Sequence, residues 1–388
     1  MTIFLEFEND NLTVTFHPIP DSKATKFKLK IYAKNVIENL EKKHVYTSNE
    51  WDLLQDKENS HNFSIDYKLY NLIAKKVVGS GFLPNQIELY FSIEVDGKEY
   101  EVQNTCKVHL VRYIPKLLNL KGWENGEKLQ KIWFTKGNNS DKKKVNPELN
   151  AVTWDWIISE SSEVNNEFNK LHNETRIALN QSNSLWSNNV QKALQNEIAK
   201  MFTEGFAIRP TKNNKTTTFG TSLDNIVEYR GEKIPQFEKY YFNHKAFSGF
   251  WDLGWHYLVD GIDDFIAAIA NFNFHVYATG ELKYIERSFD FLDDYITVKV
   301  NKLHYYVKDA FDFVDDNPSE PSQPLGYWKV SEDGTTVEVE RSAPSNKKEY
   351  FEVTNLDYRN YRDDHKMGYD FYLYSTIHEE TVNIEFDL

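Results

Sequence analysis

Only one cysteine, Cys106, occurs in 388 residues. An internal disulfide is therefore excluded, and so is a cysteine-based zinc cluster. Cys106 lies in a strand-like run, where a cysteine usually serves as a small core hydrophobe. Positive charge is also scarce: 45 Lys and Arg stand against 59 Asp and Glu, a formal net charge of −14. Such a balance argues against nucleic acid as a partner, because neutralising phosphates needs a basic face. It argues equally against docking on an anionic membrane surface. The basic run Lys142-Lys143-Lys144 sits in a polar stretch and reads as a solvated loop. No apolar run approaches the length of a membrane span, so no transmembrane segment is expected. The opening residues MTIFLEFENDN lack the basic region and apolar block of a signal peptide. The expected location is the cytoplasm of the producing cell, with export by a route that reads no cleavable signal left open. A Gly-x-Ser-x-Gly elbow, a phosphate-binding loop and a Gly-rich dinucleotide fingerprint are all missing. Serine-triad and nucleotide-dependent enzymes are accordingly disfavoured.

Apolar and aromatic residues are plentiful, at 40% and 15% of the chain, enough to build substantial cores. Residues 1–115 read mostly as strands. Phe27, Leu29 and Ile31 alternate with polar residues, as do Ile87, Leu89, Phe91, Ile93 and Val95. Asp96-Gly97 then supplies the turn of a tight hairpin. The expectation for 1–115 is a β-sandwich-like domain. Residues 116–388 read as a second, α+β domain in which helices pack on an antiparallel sheet, so the whole chain is assigned to the α+β class. Val152 to Ile158 reads as a buried strand. Val164, Phe168 and Leu171 share one helix face, and Val190, Leu194, Ile198, Met201 and Phe202 share another that ends at Gly205.

The densest aromatic and acidic stretch runs from Trp251 to Asp316. Asp260 can cap a helix with Ile262, Phe265, Ile266 and Ile269 on one face. Phe272, Phe274, Val276 and Ala278 then alternate with polar residues in what reads as a half-buried strand. His256 reads as a core histidine. His275 and His304 lie on strands that could meet in a sheet, but two histidines alone do not specify a metal site. Asp309 and Asp312 stand three apart at a strand end, followed by Asp315 and Asp316. Such a group reads either as a solvated acidic turn or as oxygen ligands for Mg²⁺ or Ca²⁺, with the metal stabilising charge on a phosphoryl oxygen. His365, with arginines on one side and acids on the other, is the candidate acid or base, and Arg362 the candidate phosphate contact.

Several segments in order resemble the bacterial domain-of-unknown-function family numbered 6402. They are Leu129 to Phe134, Val152 to Trp156, the helix and strand of residues 260–280, Asp309 to Phe313, Gln323 to Trp328, and Tyr358-Arg359 through Asp370-Phe371. The resemblance covers roughly residues 115–388. It implies a cargo or accessory protein associated with type VI secretion machinery. A weaker resemblance is to the catalytic domain of colicin M, whose acidic motif Asp-x-Tyr-Asp is similar to Asp309-Ala-Phe311-Asp312. That motif is followed by His-Arg in those toxins, whereas residues 317–320 here read Asn-Pro-Ser-Glu. The two resemblances together imply a secretion-associated effector or antibacterial toxin. It would be a metal-assisted phosphoester hydrolase acting on a lipid-linked cell-wall precursor, with an immunity protein or the secretion machinery as protein partner. Asp309 and Asp312 would bind the metal or activate water, and His365 and Arg362 would handle protons and phosphate. The other expectation is a non-catalytic adaptor, cargo or structural protein that uses its β domain and aromatic surfaces for protein contacts.

Overall fold

The computed structural model describes residues 3–8, 11–16, 25–38, 40–52, 59–102, 104–180, 185–220, 225–248, 262–269, 271–287, 293–315 and 319–388. His256, Asp260 and Asp316 lie outside the described residues, as does the whole Trp251 to Gly261 stretch. The fold is α+β, with several mainly antiparallel sheets and separate helices. Two compact units share the chain, and neither is continuous in sequence. The first comprises Met1–Asn138, Gly261–Asp264 and Phe313–Gly368; the second comprises Asn139–Asp260, Phe265–Asp312 and Tyr369–Leu388. The boundary read at residue 115 falls inside the first unit, at the start of the helix Ile114–Lys121.

In the first unit, the strands Lys26–Asn35 and Gln86–Val95 pair antiparallel at the centre of a six-stranded sheet. Phe27, Leu29, Ile31 and Ala33 on one strand, and Ile87, Leu89, Phe91 and Ile93 on the other, are almost fully buried, as their alternation predicts. Asp96 and Gly97 both take left-handed backbone (φ 49° and 73°) and join Gln86–Val95 to Lys98–Glu101. Such a tight turn needs positive φ at its two central positions. A three-stranded sheet of Ile3–Glu8, Asn11–Phe16 and Asn59–Ser64 accompanies it. The helix Tyr67–Val77 also lies within this stretch, which had read mostly as strands, with no helix assigned there. Its signals are present in the sequence: Asp66 caps the Leu69 amide at 2.9 Å, and Tyr67, Tyr70, Ile73, Ala74 and Val77 form the buried face. A hairpin with Asp333-Gly334 in its turn pairs Pro324–Val330 with Val337–Glu340. The helix Asn355–His365 follows the strand Phe351–Thr354, and both the amide and the hydroxyl of Thr354 donate to Asp357 at 2.8 Å.

The second unit is built on a seven-stranded sheet. Its two longest strands, Asn271–Ile285 and Tyr295–Phe311, pair antiparallel over most of their length. Asn243–Ser248 and Thr216–Phe219 also pair with the first of these, and Phe371–Ser375 and His378–Asp387 with the second. The helices Ser162–Asn180 and Leu185–Glu204 bury the faces read from their periodicity: Val164, Phe168 and Leu171 in one, Leu194, Ile198 and Met201 in the other. Gly205 ends the second helix in left-handed backbone, with the Phe206 amide returning to the Met201 carbonyl.

Two expectations are corrected here. Val152 to Ile158 is not a strand, because the strand Glu148–Val152 stops where Thr153 caps the helix Trp154–Glu160. Trp154 and Ile157, three apart, are its buried residues, and a spacing of three within a short apolar run is the helical signal that length alone obscured. The strand Asn271–Ile285 is not half-buried either. From Phe274 to Ala278 every residue is buried, because the 3₁₀ helix Gln236–Tyr240 packs on the face that carries His275 and Tyr277, where Phe237 stacks on Tyr277 at 5.4 Å. The expected helix Asp260 to Ile269 is described only as Asp264–Ile269.

Gly280 marks the tightest point of the central pairing. A Cβ there would sit 2.0 Å from the Lys299 carbonyl oxygen and 2.9 Å from the Phe219 ring. Gly280→Ala is therefore expected to destabilise the second unit by about 1–3 kcal/mol, the usual penalty for overpacking. A lowered denaturant midpoint at unchanged m-value measures it, and an unchanged midpoint would contradict the close approach.

Candidate functional site

The second unit carries a polar cleft of about 590 Å³. Four elements supply its walls. The helix Leu185–Glu204 contributes Glu197 and Lys200, three apart on one face. The hairpin Ile226–Tyr229/Glu232–Pro235 contributes Tyr229, Arg230, Glu232 and Ile234. Glu238 and Lys239 come from the 3₁₀ helix, with Tyr241 just beyond it, and Lys308 comes from the strand Tyr295–Phe311.

Glu238 forms the floor. It is 4% exposed, yet ionisable groups surround it. Lys308 Nζ donates to Oε1 at 2.7 Å, His275 Nδ1 donates to Oε2 at 2.9 Å, and the Tyr306 hydroxyl donates to the same oxygen. Burial opposes ionisation of Glu238, but the bonds and charges of His275 and Lys308 outweigh it and hold the carboxyl below its ordinary value. The result is a buried carboxylate that stays charged because three donors compensate it. Burial drives the Tyr306 phenol well above its ordinary value, with the Glu238 charge adding to the effect, so Tyr306 remains a donor at neutral pH. His275 stands behind Glu238, with Tyr241 over its ring at 4.3 Å. Sheet register explains the assembly: His275 pairs with Tyr306 on the neighbouring strand, and Lys308 lies two residues further on the same face.

The walls are rich in cations for so acidic a chain. Lys200 pairs with Glu197 at 3.0 Å and Lys239 with Glu204 at 2.7 Å. Lys200, Arg230 and Lys239 stand 4.8–5.0 Å from the centre of the Tyr229 ring. The ring face gathers these cations, and their positive charge suits this wall to an oxyanion.

The residues singled out from sequence are placed elsewhere. Asp309 and Asp312 belong to the second unit, Arg362 and His365 to the first. By strand alternation Asp309 faces away from Lys308 and the cleft. Although the residue keeps intermediate exposure, burial pushes its carboxyl up to about 8, and the Asp312 charge adds to the rise. The Asp312 carboxylate is taken by Lys142, a residue that had read as part of a solvated loop. No group of three or more His, Cys, Asp or Glu able to hold a metal occurs among the described residues. A Mg²⁺ or Ca²⁺ site needs several free oxygen ligands, and here one of the two carboxylates is already paired with lysine. Asp309→Asn is expected to raise thermal stability, by an amount that grows from about pH 4 to about pH 8 and then levels off. A carboxyl whose folded pKa is raised loses stabilisation across that window, and asparagine loses none. Thermal midpoints at pH 4–9 for the two proteins test this, and a variant that is less stable at pH 8 would contradict it.

In the first unit, Arg362 is buried with its guanidinium 5.8 Å from the Trp133 ring centre. His365 ends the helix Asn355–His365, 4.6 Å from the Tyr361 ring and 5.2 Å from the His109 ring. Burial, followed by the Arg112 charge, lowers its pKa. Asp364 joins this group, accepting from Lys107 at 2.9 Å, Gln86 at 2.7 Å and His109 at 3.0 Å. Asp315 is held well below its ordinary value: burial opposes its ionisation, but the bonds from Arg359, the Gln323 amide, Asn355 and Ser322 together outweigh it. His304 bonds Thr279 at 3.0 Å and stacks on Tyr277, so it does not meet His275.

Sequence reasoning missed Glu238, Lys308 and Arg230. A signal for Lys308 existed. His275, Tyr277 and Thr279 on one strand, with His304, Tyr306 and Lys308 on the next, place polar groups at every second position of a single sheet face.

Among the described residues, no helix is long and apolar enough to cross a membrane. No curated protein and no solved structure matches the chain. Residues 110–388 match a family described as "Family of unknown function (DUF6402)", a span that contains every residue of the cleft. Because that match takes in most of the sequence, the chain belongs to the family of unknown function DUF6402.

Proposed function

We propose that this chain is a secretion-associated effector whose second unit cleaves a phosphoester in the cleft floored by Glu238. The observation that carries the reading is a buried, ionised carboxylate bonded to Lys308, His275 and Tyr306 at the base of a cation-lined cleft. The chemistry follows from the parts. Glu238 takes a proton from water, the water oxygen forms a bond to phosphorus, and the bond to the leaving oxygen breaks. The proton then passes to that oxygen. Lys308, beside Glu238, is placed to donate to a phosphoryl oxygen as negative charge grows there. His275 and Tyr306 fix the carboxylate rather than touch the substrate. The reading keeps the phosphoester class implied by the colicin M resemblance and moves its centre from Asp309 and Asp312 to Glu238 and Lys308, with no metal in the sequence of steps. A lipid-linked cell-wall precursor is the substrate to try first. Release of its phosphorylated product by the wild type, lost in Glu238→Gln, supports the proposal. No release by the wild type overturns this choice of substrate.

An adaptor is the second reading. It draws on Val314 and Leu356 of the first unit, exposed apolar residues brought near one another where Asn355 bonds the Val314 carbonyl.

A further inference from the structure

We infer that Arg230 is the phosphate-recognition residue of the cleft, and that the ligand presents a phosphoryl group to it. The inference rests on the cleft being the ligand site, but not on cleavage taking place there. Three of the four cleft cations already have carboxylate partners: Lys200 has Glu197, Lys239 has Glu204 and Lys308 has Glu238. Among the described residues Arg230 meets no carboxylate, and its guanidinium lies against the Tyr229 ring at 5.0 Å. It also acts electrostatically on Tyr241 on the cleft wall: burial raises that phenol, and the Arg230 charge opposes the rise. An arginine resting on an aromatic ring keeps its planar fork free for a bidentate oxyanion, and phosphoryl oxygens match that geometry.

Backbone geometry gives a second, independent argument. Arg230 and Gly231 form the two-residue turn of the hairpin, with φ of 53° and 80°. Asparagine, aspartate and glycine suit the first of these positions, and arginine does not. A long cation kept in left-handed backbone, where a small polar residue would relieve strain, is an exception that a binding role explains. The turn is also anchored. Lys143 pairs with Glu232 at 3.0 Å, the Lys233 amide donates to the Lys143 carbonyl at 2.8 Å, and the Gln236 amide donates to the Asn225 carbonyl at 2.8 Å. Arg230 is thus presented from a fixed support and need not be ordered on binding.

The test is calorimetric titration of the full chain with inorganic pyrophosphate, and with succinate at matched ionic strength. Arg230→Asn suits the turn and so preserves the fold; Arg230→Lys keeps the charge without the fork. The wild type is expected to bind pyrophosphate in preference to succinate. Arg230→Asn should weaken that binding roughly ten- to hundredfold, with Arg230→Lys in between. Pyrophosphate binding by a wild type that cleaves no phosphoester would uphold the recognition and overturn only the cleavage, so the two readings fail separately. Failure of the wild type to bind pyrophosphate, equal binding of succinate, or wild-type affinity in a folded Arg230→Asn would each overturn the inference.

Discussion

Glu238→Gln should slow phosphoester cleavage by about 10²- to 10⁴-fold, the range supplied by a positioned general base. The amide keeps the shape of the carboxyl group and can still accept one hydrogen bond, but it cannot take a proton. The substitution also strips Lys308 of its carboxylate partner, so part of any loss could reflect instability. A second variant tests whether instability alone explains the loss, although it also removes the lysine assigned to the phosphoryl oxygen. Glu238→Gln combined with Lys308→Met removes the unpaired charge, since replacing both partners of a buried pair is often close to neutral for stability. The double variant is therefore expected to regain thermal stability and remain inactive. If activity returned with stability, the carboxylate would have been acting as a structural group only.

The second large effect is on stability in acid, and it arises in the first unit. Burial, aided by the nearby His365, pushes His109 down to about 4, against the opposing pull of Asp364. The residue is almost wholly buried. Lys107 and Arg112 add positive charge to the same neighbourhood. A histidine whose folded pKa is depressed favours the neutral form. Its contribution is complete above the unfolded value of about 6.5 and is lost as pH falls towards 4. The shift is equivalent to about 3 kcal/mol for this one group. His109→Gln should therefore flatten the decline of the unfolding free energy between pH 6.5 and 4, measured by urea titration at each pH. Parallel profiles for the two proteins would show that other groups govern acid sensitivity.

Where one face of an element is apolar, the sequence was readable. The strands around Leu29 and Phe91, the Asp96-Gly97 turn and the helix ending at Gly205 all follow from local periodicity and backbone preference. The helix Tyr67–Val77 carried equally local signals, but strand patterns on both sides masked it. The division into units was not legible, because each unit gathers segments far apart in sequence. The candidate site was only half legible. Polar residues at alternate strand positions mark a sheet face, but such a face ordinarily turns to water. What converts His275, Tyr306 and Lys308 into a buried network is the 3₁₀ helix that delivers Glu238 from 37 residues before His275. The acidic pair Asp309 and Asp312 was conspicuous for its spacing. Spacing could not reveal that one carboxyl would be driven towards protonation and the other taken by Lys142.

The most direct test of the central claim is killing. The wild type and Glu238→Gln should be expressed in a Gram-negative host at equal levels, each directed once to the periplasm and once to the cytoplasm. The account predicts that the periplasmic wild type kills and that a folded Glu238→Gln does not. Undiminished killing by Glu238→Gln would contradict it, and no killing by the wild type in either compartment would favour the adaptor.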